Sequence, residues 1–359
     1  MKNREIHYFL GTNSPLGFVG FFEQLNDVNT GISCYVLKGG PGTGKSSLMK
    51  NIGNEMKNDN FSLDFIHCSS DPSSLDGIII KEKNIAVADG TSPHTIEPKY
   101  PGAVENIINL GDCWNEEKLK KNRESIIEET VNNSSAHGMC IRFLKAANMI
   151  DKDSRKIQSD YILEEKLRKY TERVANRIFK KKNSDQKGKE KKIFLSAITP
   201  DGIVFYEDTV TELADEIIVI DDNVGNVNSL FMNQIKSKAI NAGYDIISAY
   251  CPMNPNGNPE HIIIPQCSVA FVRNHYGCKF GERKTIHATR FLNKEEIKKQ
   301  NKRLKLNHKL YNELISESIS ALKNAKEIHD KLEGYYIPCM DFSKIKAIEK
   351  NTIEKILNA

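Results

Sequence analysis

One stretch decides the fold: Val36-Leu37-Lys38-Gly39-Gly40-Pro41-Gly42-Thr43-Gly44-Lys45-Ser46-Ser47-Leu48. It matches the pattern G-x-x-x-x-G-K-[ST], which is typical of a phosphate-binding loop between a strand and a helix. The flanking residues fit this interpretation, because 32–37 are β-prone and 47–56 suit a helix. The stretch therefore predicts a strand, a glycine-rich turn and a helix start.

Each residue type in this loop has a physical role. Glycines let backbone N–H groups approach phosphate oxygens, and the following helix points its positive end at the anion. We expect Lys45 to contact the β- and γ-phosphates and the Ser46 hydroxyl to ligate Mg²⁺. The predicted binding residues are Gly39, Gly40, Pro41, Gly42, Thr43, Gly44, Lys45, Ser46 and Ser47.

Composition limits the class of protein. The chain has 359 residues, enough for two domains, and its formal charge of +4 gives no overall case for nucleic acid binding. None of the 8 cysteines forms a C-x-x-C pair, the N-terminus lacks an apolar leader, and no apolar run approaches the length of a membrane span. We therefore expect a cytoplasmic protein with reduced thiols and no membrane partner.

A long internal repeat underlies the sequence. Phe9-Leu10, followed by Pro15-x-Gly17, recurs as Phe194-Leu195 followed by Pro200-x-Gly202. Further segments correspond in order, at an offset of roughly 180 residues: 63–68 with 245–251, 78–80 with 262–264, and 85–89 with 269–273. The series predicts two duplicated domains, 1–190 and 191–359.

For each half the sequence predicts, in order, a strand, a loop, a strand, a phosphate loop, a helix, a strand, a short apolar hairpin, a strand and a long charged helical region. Alternating strands and helices with continuous apolar strands predict an α/β fold. We expect two tandem, doubly wound, mostly parallel sheets of P-loop NTPase type. A charged helical hairpin at about 115–180 should lie beside the first sheet, and a lysine-rich linker should follow at about 180–192.

The second phosphate loop is degenerate. In the repeat alignment Lys45 falls against Val227, and the acids Asp221 and Asp222 stand near the phosphate position. Their negative charge would repel a triphosphate. The sequence therefore predicts one functional nucleotide site, in the first half, and a structural or regulatory second half.

Acidic residues at strand ends supply candidate catalytic groups. Asp89 ends an apolar strand, so we expect it to hold Mg²⁺ together with Ser46. Gly90 follows it, where many P-loop ATPases carry a glutamate base. Asp71 and Asp76 follow the second strand and are candidates to orient the nucleophile as a general base, to ligate a metal or to bind the acceptor; turn formation is the alternative.

Two further hypotheses concern cysteine, histidine and arginine side chains. No zinc-ligand spacing is matched by His67, Cys68, His94 and Cys113, so the sequence predicts no metal site there. In the repeat alignment acids of the first half meet Arg273, Arg283 and Arg290, which suggests an arginine finger supplied within the chain; a solvated basic face is the alternative. The basic stretch 294–309 is interpreted as a solvated helix face, with a protein-partner or nucleic-acid surface as the alternative.

Taken together, the motifs resemble a little-characterised bacterial family of duplicated P-loop ATPases. The segments that carry the resemblance are 9–17, 38–46, 67–71, 89–94 and 101–104. The resemblance implies ATP binding and says little about biological role. In that family the second half usually keeps a working phosphate loop, and this chain departs from the pattern at Asn226 and Val227.

The sequence thus predicts an ATP- and Mg²⁺-binding ATPase, with Lys45, Asp89, Asp71 and Asp76 as its catalytic candidates. One alternative is a small-molecule or nucleotide kinase. Another is a nucleotide-gated binding module that does not hydrolyse ATP.

Overall fold

The computed structural model describes residues 4–180, 186–274, 280 and 283–359. The first half contains β1 (Glu5–Phe9), β2 (Gly11–Ser14), β3 (Gly17–Gly20), β4 (Ser33–Lys38), α1 (Lys45–Asn58), β5 (Leu63–His67), β6 (Leu75–Ile80), β7 (Ile85–Asp89), β8 (Glu105–Asn109), α2 (Glu116–Lys121), α3 (Arg123–Ser159) and α4 (Glu164–Ile178). The second half contains β9 (Glu190–Ile193), β10 (Ser196–Thr199), β11 (Gly202–Phe205), α5 (Glu207–Leu213), β12 (Glu216–Asp221), α6 (Asn226–Asn241), β13 (Ile246–Ala249), β14 (His261–Ile264), β15 (Val269–Arg273), β16 (Lys284–His287), α7 (Lys294–Lys299), α8 (Asn301–Tyr336) and α9 (Phe342–Asn358).

Two six-stranded mixed sheets have the same strand order. The first runs β1-β5-β6-β7-β4-β8, and the second runs β9-β13-β14-β15-β12-β16. Only β6 and its counterpart β14 pair antiparallel with their neighbours in these sheets, as the predicted apolar hairpins require. The expected α/β class with mostly parallel strands is confirmed, and each strand of one sheet has a counterpart in the other.

A pseudo-twofold axis relates the halves. Phe9 and Phe194, which correspond in the repeat, pair antiparallel through two backbone hydrogen bonds of 2.9 Å. A residue that pairs with its own counterpart is the signature of twofold symmetry. The tight turns repeat in the same detail, because Ser14 Oγ donates to the Gly17 carbonyl at 2.7 Å and Thr199 Oγ1 donates to the Gly202 carbonyl at 2.8 Å.

The inner faces of the two sheets share one core. Val36 and Val219, from β4 and β12, belong to the same buried cluster, and the rings of Phe21 and Phe194 stack at 4.8 Å within it. Helices α1 and α9 cover the outer face of the first sheet. The expected double winding is thus met only in part, because α5, loops and the facing half cover the inner faces.

The helical regions cross from one half to the other. Helices α3 and α8 pack antiparallel over about 55 Å. Near the start of α3, Asn133 donates to the Ala325 carbonyl, whereas Arg303, near the start of α8, pairs with Asp153 near the end of α3. As a result α4 packs on α6 and α9 packs on α1. The expectation of a helical hairpin beside the first sheet is therefore wrong: this segment carries its last helix to the second half.

The lysine-rich segment after α4 is only partly a linker. Residues 181–185 lie outside the described residues, but Glu190–Ile193 forms the edge strand β9. Lys191 Nζ donates to the buried Asp64 Oδ2 at 2.6 Å, which fixes the second half on β5. The charged composition of this segment gave no indication of a strand, because the charge of Lys191 is compensated by Asp64, a residue of the other half.

None of the helices in the described part of the chain combines the length and apolarity needed to cross a bilayer.

Candidate functional site

The loop between β4 and α1 combines left-handed glycines with the N-terminus of a helix. Gly42 and Gly44 have positive φ angles of 63° and 89°, and Gly44 is the N-cap of α1. These left-handed conformations are costly for residues with a Cβ atom, which explains the glycines. The first N–H groups of α1 have no partner within the helix and carry its positive end, so they present an anion-binding surface.

Lys45, Ser46 and Asp89 converge on this loop. Lys45 Nζ donates to the carbonyls of Gly39 (2.9 Å) and Gly40 (2.8 Å), and it lies 3.6 Å from Asp89 Oδ2. Ser46 Oγ accepts a hydrogen bond from the Leu75 N–H at 3.0 Å. Because β4 and β7 are parallel neighbours, their carboxyl ends place the loop and Asp89 at the same edge of the sheet.

The remaining loop residues support its shape. Thr43 is buried and its hydroxyl donates to the Gly40 carbonyl at 2.8 Å, which closes the turn. Pro41 lies within this turn, and the Ser47 side chain is exposed on the first turn of α1. The Asp89 carboxylate is held by the N–H and hydroxyl of Thr91. The predicted loop residues thus form one continuous structural unit.

Of the two further acids, Asp76 lies inside and Asp71 lies at the rim. Asp76 is buried, with Oδ1 3.4 Å from His94 Nε2. Burial raises the pKa of Asp76 to about 6, and the nearby charge of Asp89 acts in the same direction. Asp71 instead accepts hydrogen bonds from Ser73 and Ser74 and lies 3.7 Å from Lys326 of α8. The structure gives Asp71 a turn-forming and tethering position.

Helix α8 places a carboxylate on the phosphate loop. The Gly42 N–H donates to Glu333 Oε1 at 3.1 Å. A hydrogen bond from His329 lowers the pKa of Glu333, which favours the charged form. This carboxylate occupies a backbone donor that a phosphate oxygen would use. Sequence reasoning missed it, because the contact joins residues far apart in the chain and one glutamate on a charged helix gives no local signal.

Close packing accompanies this contact. A Cβ atom on Gly40 would lie 2.8 Å from the Tyr336 ring, and one on Gly42 would lie 2.9 Å from Ile337. Helix α9 is fixed more deeply, since Ile345 and Ile356 are buried in the core beside α1. The Glu333 side chain is 35% exposed, so solvent can reach its contact with the loop.

The second loop is filled by the protein's own side chains. It has four residues (222–225) where the first loop has six (39–44). Asp222 Oδ2 accepts the Asn228 N–H at 2.9 Å, and Gln158 of α3 bridges Asp222 and the Asn226 N–H. A buried carboxylate thus lies at the N-terminus of α6, and the expectation that this loop binds no nucleotide stays a prediction.

The repeat alignment at this loop is wrong by one residue. Gly225, with a φ of 102°, is the N-cap of α6, just as Gly44 is the N-cap of α1. The buried faces of the two helices match differently, because Leu48, Met49 and Ile52 of α1 correspond to Phe231, Met232 and Ile235 of α6. Lys45 therefore corresponds to Asn228 and not to Val227, and α6 begins two residues earlier after its strand than α1 does. The error arose because the loop is shorter and keeps only one of its glycines.

Two of the three arginines contact groups of the second half, and the third contacts α4, which packs on the second half. Arg273, the counterpart of Asp89, is buried and pairs with Glu260 at 2.8 Å. It also donates to the carbonyls of Asp222 and Asn223, which stabilises the shortened loop. Arg283 donates to the Phe280 carbonyl, and Arg290 lies over the ring of Tyr170. The arginine-finger hypothesis is therefore wrong for Arg273, and the contacts of the other two give it no support.

Comparison with protein-family models, curated proteins and solved structures found no match for this chain. The resemblance to duplicated P-loop ATPases accordingly remains a prediction.

Proposed function

We propose that the protein binds ATP with Mg²⁺ at residues 39–47 and hydrolyses it, with one nucleotide site per chain. The observation that carries the proposal is the convergence of Lys45, Ser46 and Asp89 on a loop with left-handed glycines. A helix N-terminus, a lysine and a carboxylate at one sheet edge match the requirements of triphosphate binding.

The donor set fits Mg²⁺. A serine hydroxyl and a carboxylate are hard oxygen ligands, which this ion prefers, and Ser46 and Asp89 would hold it. Bound there, Mg²⁺ would neutralise negative charge on the phosphates. Lys45 would exchange the carbonyls of Gly39 and Gly40 for phosphate oxygens.

Two groups of the chain would control the reaction. Glu333 must leave the Gly42 N–H before a phosphate oxygen can take its place. Asp76 is a buried acid whose charge interacts with those of Lys45 and Asp89, and it is our candidate to orient the attacking water. Water would supply the new oxygen on the γ-phosphorus, its proton would pass to a carboxylate, and ADP would leave.

A second candidate function is a nucleotide-gated binding module without turnover. The occupied phosphate loop favours it, because nucleotide binding would displace Glu333 on α8, the helix that spans both halves. The presence of Gly90 after Asp89, in place of a glutamate base, points the same way.

Phosphate release and acceptor labelling together separate the functions. The wild-type chain is incubated with ATP and Mg²⁺ beside Lys45→Ala, with Lys50→Ala as a matched control on the exposed face of α1. We expect free phosphate from the wild type and Lys50→Ala, and none from Lys45→Ala. Label on a metabolite would instead identify a kinase. ATP binding without release of phosphate would support the gated module, and equal turnover by Lys45→Ala would contradict the proposed site.

A further inference from the structure

A cluster of three metal-ligating side chains lies beside the phosphate loop. Cys68 follows β5, Asp76 lies in β6 and His94 follows β7. One ligand atom from each lies within 4.8 Å of the other two. Because β6 runs antiparallel to its neighbours, these three points meet at the same edge of the sheet.

Two atoms of the cluster lack a partner among the described residues. Asp76 Oδ2 and His94 Nδ1 are buried with no hydrogen-bond partner, and their residues are only 3% and 7% exposed. Buried polar groups are nearly always paired in folded proteins, so unpaired ones call for an explanation such as an absent ion.

We propose that Cys68, Asp76 and His94 bind a divalent transition-metal ion of the zinc class. Thiolate, imidazole and carboxylate are the ligands that zinc takes, and three protein ligands leave a fourth position for water. One thiolate and one carboxylate balance the two positive charges of the ion. The thiol proton is released to solvent when the metal binds.

The Cys68 thiol lies beside Asp76. A side-chain hydrogen bond joins the two residues, and burial raises the pKa of the thiol well above its usual value, so metal binding has to displace this proton. His94 also lines a cavity of about 370 Å³ together with Glu23, Glu97 and Lys99. The spacing of residues along the chain did not predict this site. Cys68, His94, Cys113 and His67 were compared together with zinc patterns, whereas Asp76 was considered apart from them.

The second half lacks the equivalent site. Cys251 corresponds to Cys68 and Glu260 to Asp76, but Glu260 is paired with Arg273. An arginine at this point supplies the positive charge internally. Cys251 is therefore a matched control: it is a buried cysteine at the same place in the fold, with an acid that already has its cation.

Cobalt titration of the metal-free, reduced full-length chain tests the proposal. We expect one equivalent of Co²⁺ to bind, with a sulfur-to-cobalt charge-transfer band and competition by Zn²⁺. Cys68→Ala should lose the band and Asp76→Asn should weaken binding about tenfold or more, whereas Cys251→Ala should keep both. Circular dichroism of each variant checks that it is folded.

Three results would overturn the proposal. They are substoichiometric binding to the wild type, a cobalt spectrum without sulfur ligation, and an unchanged band in folded Cys68→Ala. The titration contains no nucleotide, so its failure would leave the proposed ATPase standing, and failure of the ATPase would leave the metal site standing. When the metal is bound, Asp76 is one of its ligands. A water molecule at the fourth coordination position, and not the Asp76 carboxylate, would then face the nucleotide. The metal content of the purified protein therefore shows whether Asp76 acts as a metal ligand or as a free carboxylate.

Discussion

Replacing Glu333 with alanine should tighten ATP binding about tenfold. The Glu333 carboxylate accepts the Gly42 N–H at 3.1 Å, so it competes with phosphate for this donor. Hydrogen bonds to charged groups contribute about 1.5–3 kcal/mol, and the lower end applies here because the side chain is 35% exposed. Since about 1.4 kcal/mol corresponds to a factor of ten in affinity, removing the competitor lowers the apparent Kd by about that factor.

The assay is displacement of a fluorescent ATP analogue at fixed salt concentration. Glu333→Gln should give a smaller gain, because it removes the charge but keeps an oxygen acceptor. Glu327→Ala is the matched control, since this exposed glutamate lies on the same helix, and its Kd should not change. An unchanged or higher Kd for Glu333→Ala would refute the reasoning that this carboxylate occupies the nucleotide site.

Three stability predictions concern the second half and the interface between the halves. Burial lowers the pKa of His261 to about 4, so lowering the pH from 7 to 5 should reduce the free energy of unfolding by about 2 kcal/mol through this residue. This stability is lost only below the pKa of an unfolded histidine, about 6.5. His261→Gln should therefore reduce the pH dependence of Tm. Arg273→Met leaves Glu260 buried without its partner and should reduce the free energy of unfolding by about 3–5 kcal/mol, measured by denaturant unfolding. Adding Glu260→Gln should restore part of this loss. An effect below about 1 kcal/mol would contradict the buried pair. Phe194→Ala removes the stack on Phe21 and should cost about 3–5 kcal/mol, whereas a surface-like effect on Tm would argue against the shared core.

Much of the fold could be predicted from the sequence, because strands and turns are encoded locally. The Phe-Leu, Pro-x-Gly repeat marked the two edges that meet at Phe9 and Phe194. Apolar runs with short turns predicted the antiparallel hairpins of β6 and β14. The phosphate loop was predictable for the same reason, since its glycines, Lys45 and Ser46 are contiguous.

The crossing helices could not be predicted, because an amphipathic helix shows which face is buried but not what covers it. Helix α4 carries a clear apolar face, yet its partner is α6 of the other half. The position of Glu333 on Gly42 follows from this crossing, so it was equally inaccessible.

The cluster of Cys68, Asp76 and His94 illustrates a different limit. Its members come from three strand ends, and spacing along the chain carries little information about distance across a sheet edge. The arginine-finger hypothesis for Arg273 met the same limit, because the repeat alignment places Arg273 against Asp89 but does not show that its buried partner is Glu260.

Calorimetric titration of the chain with ATP and Mg²⁺ tests the proposed single nucleotide site. We expect one ATP per chain for the wild type and for Lys50→Ala, and no binding for Lys45→Ala. Two equivalents per chain, or binding by Lys45→Ala with wild-type affinity, would contradict a single nucleotide site at residues 39–47.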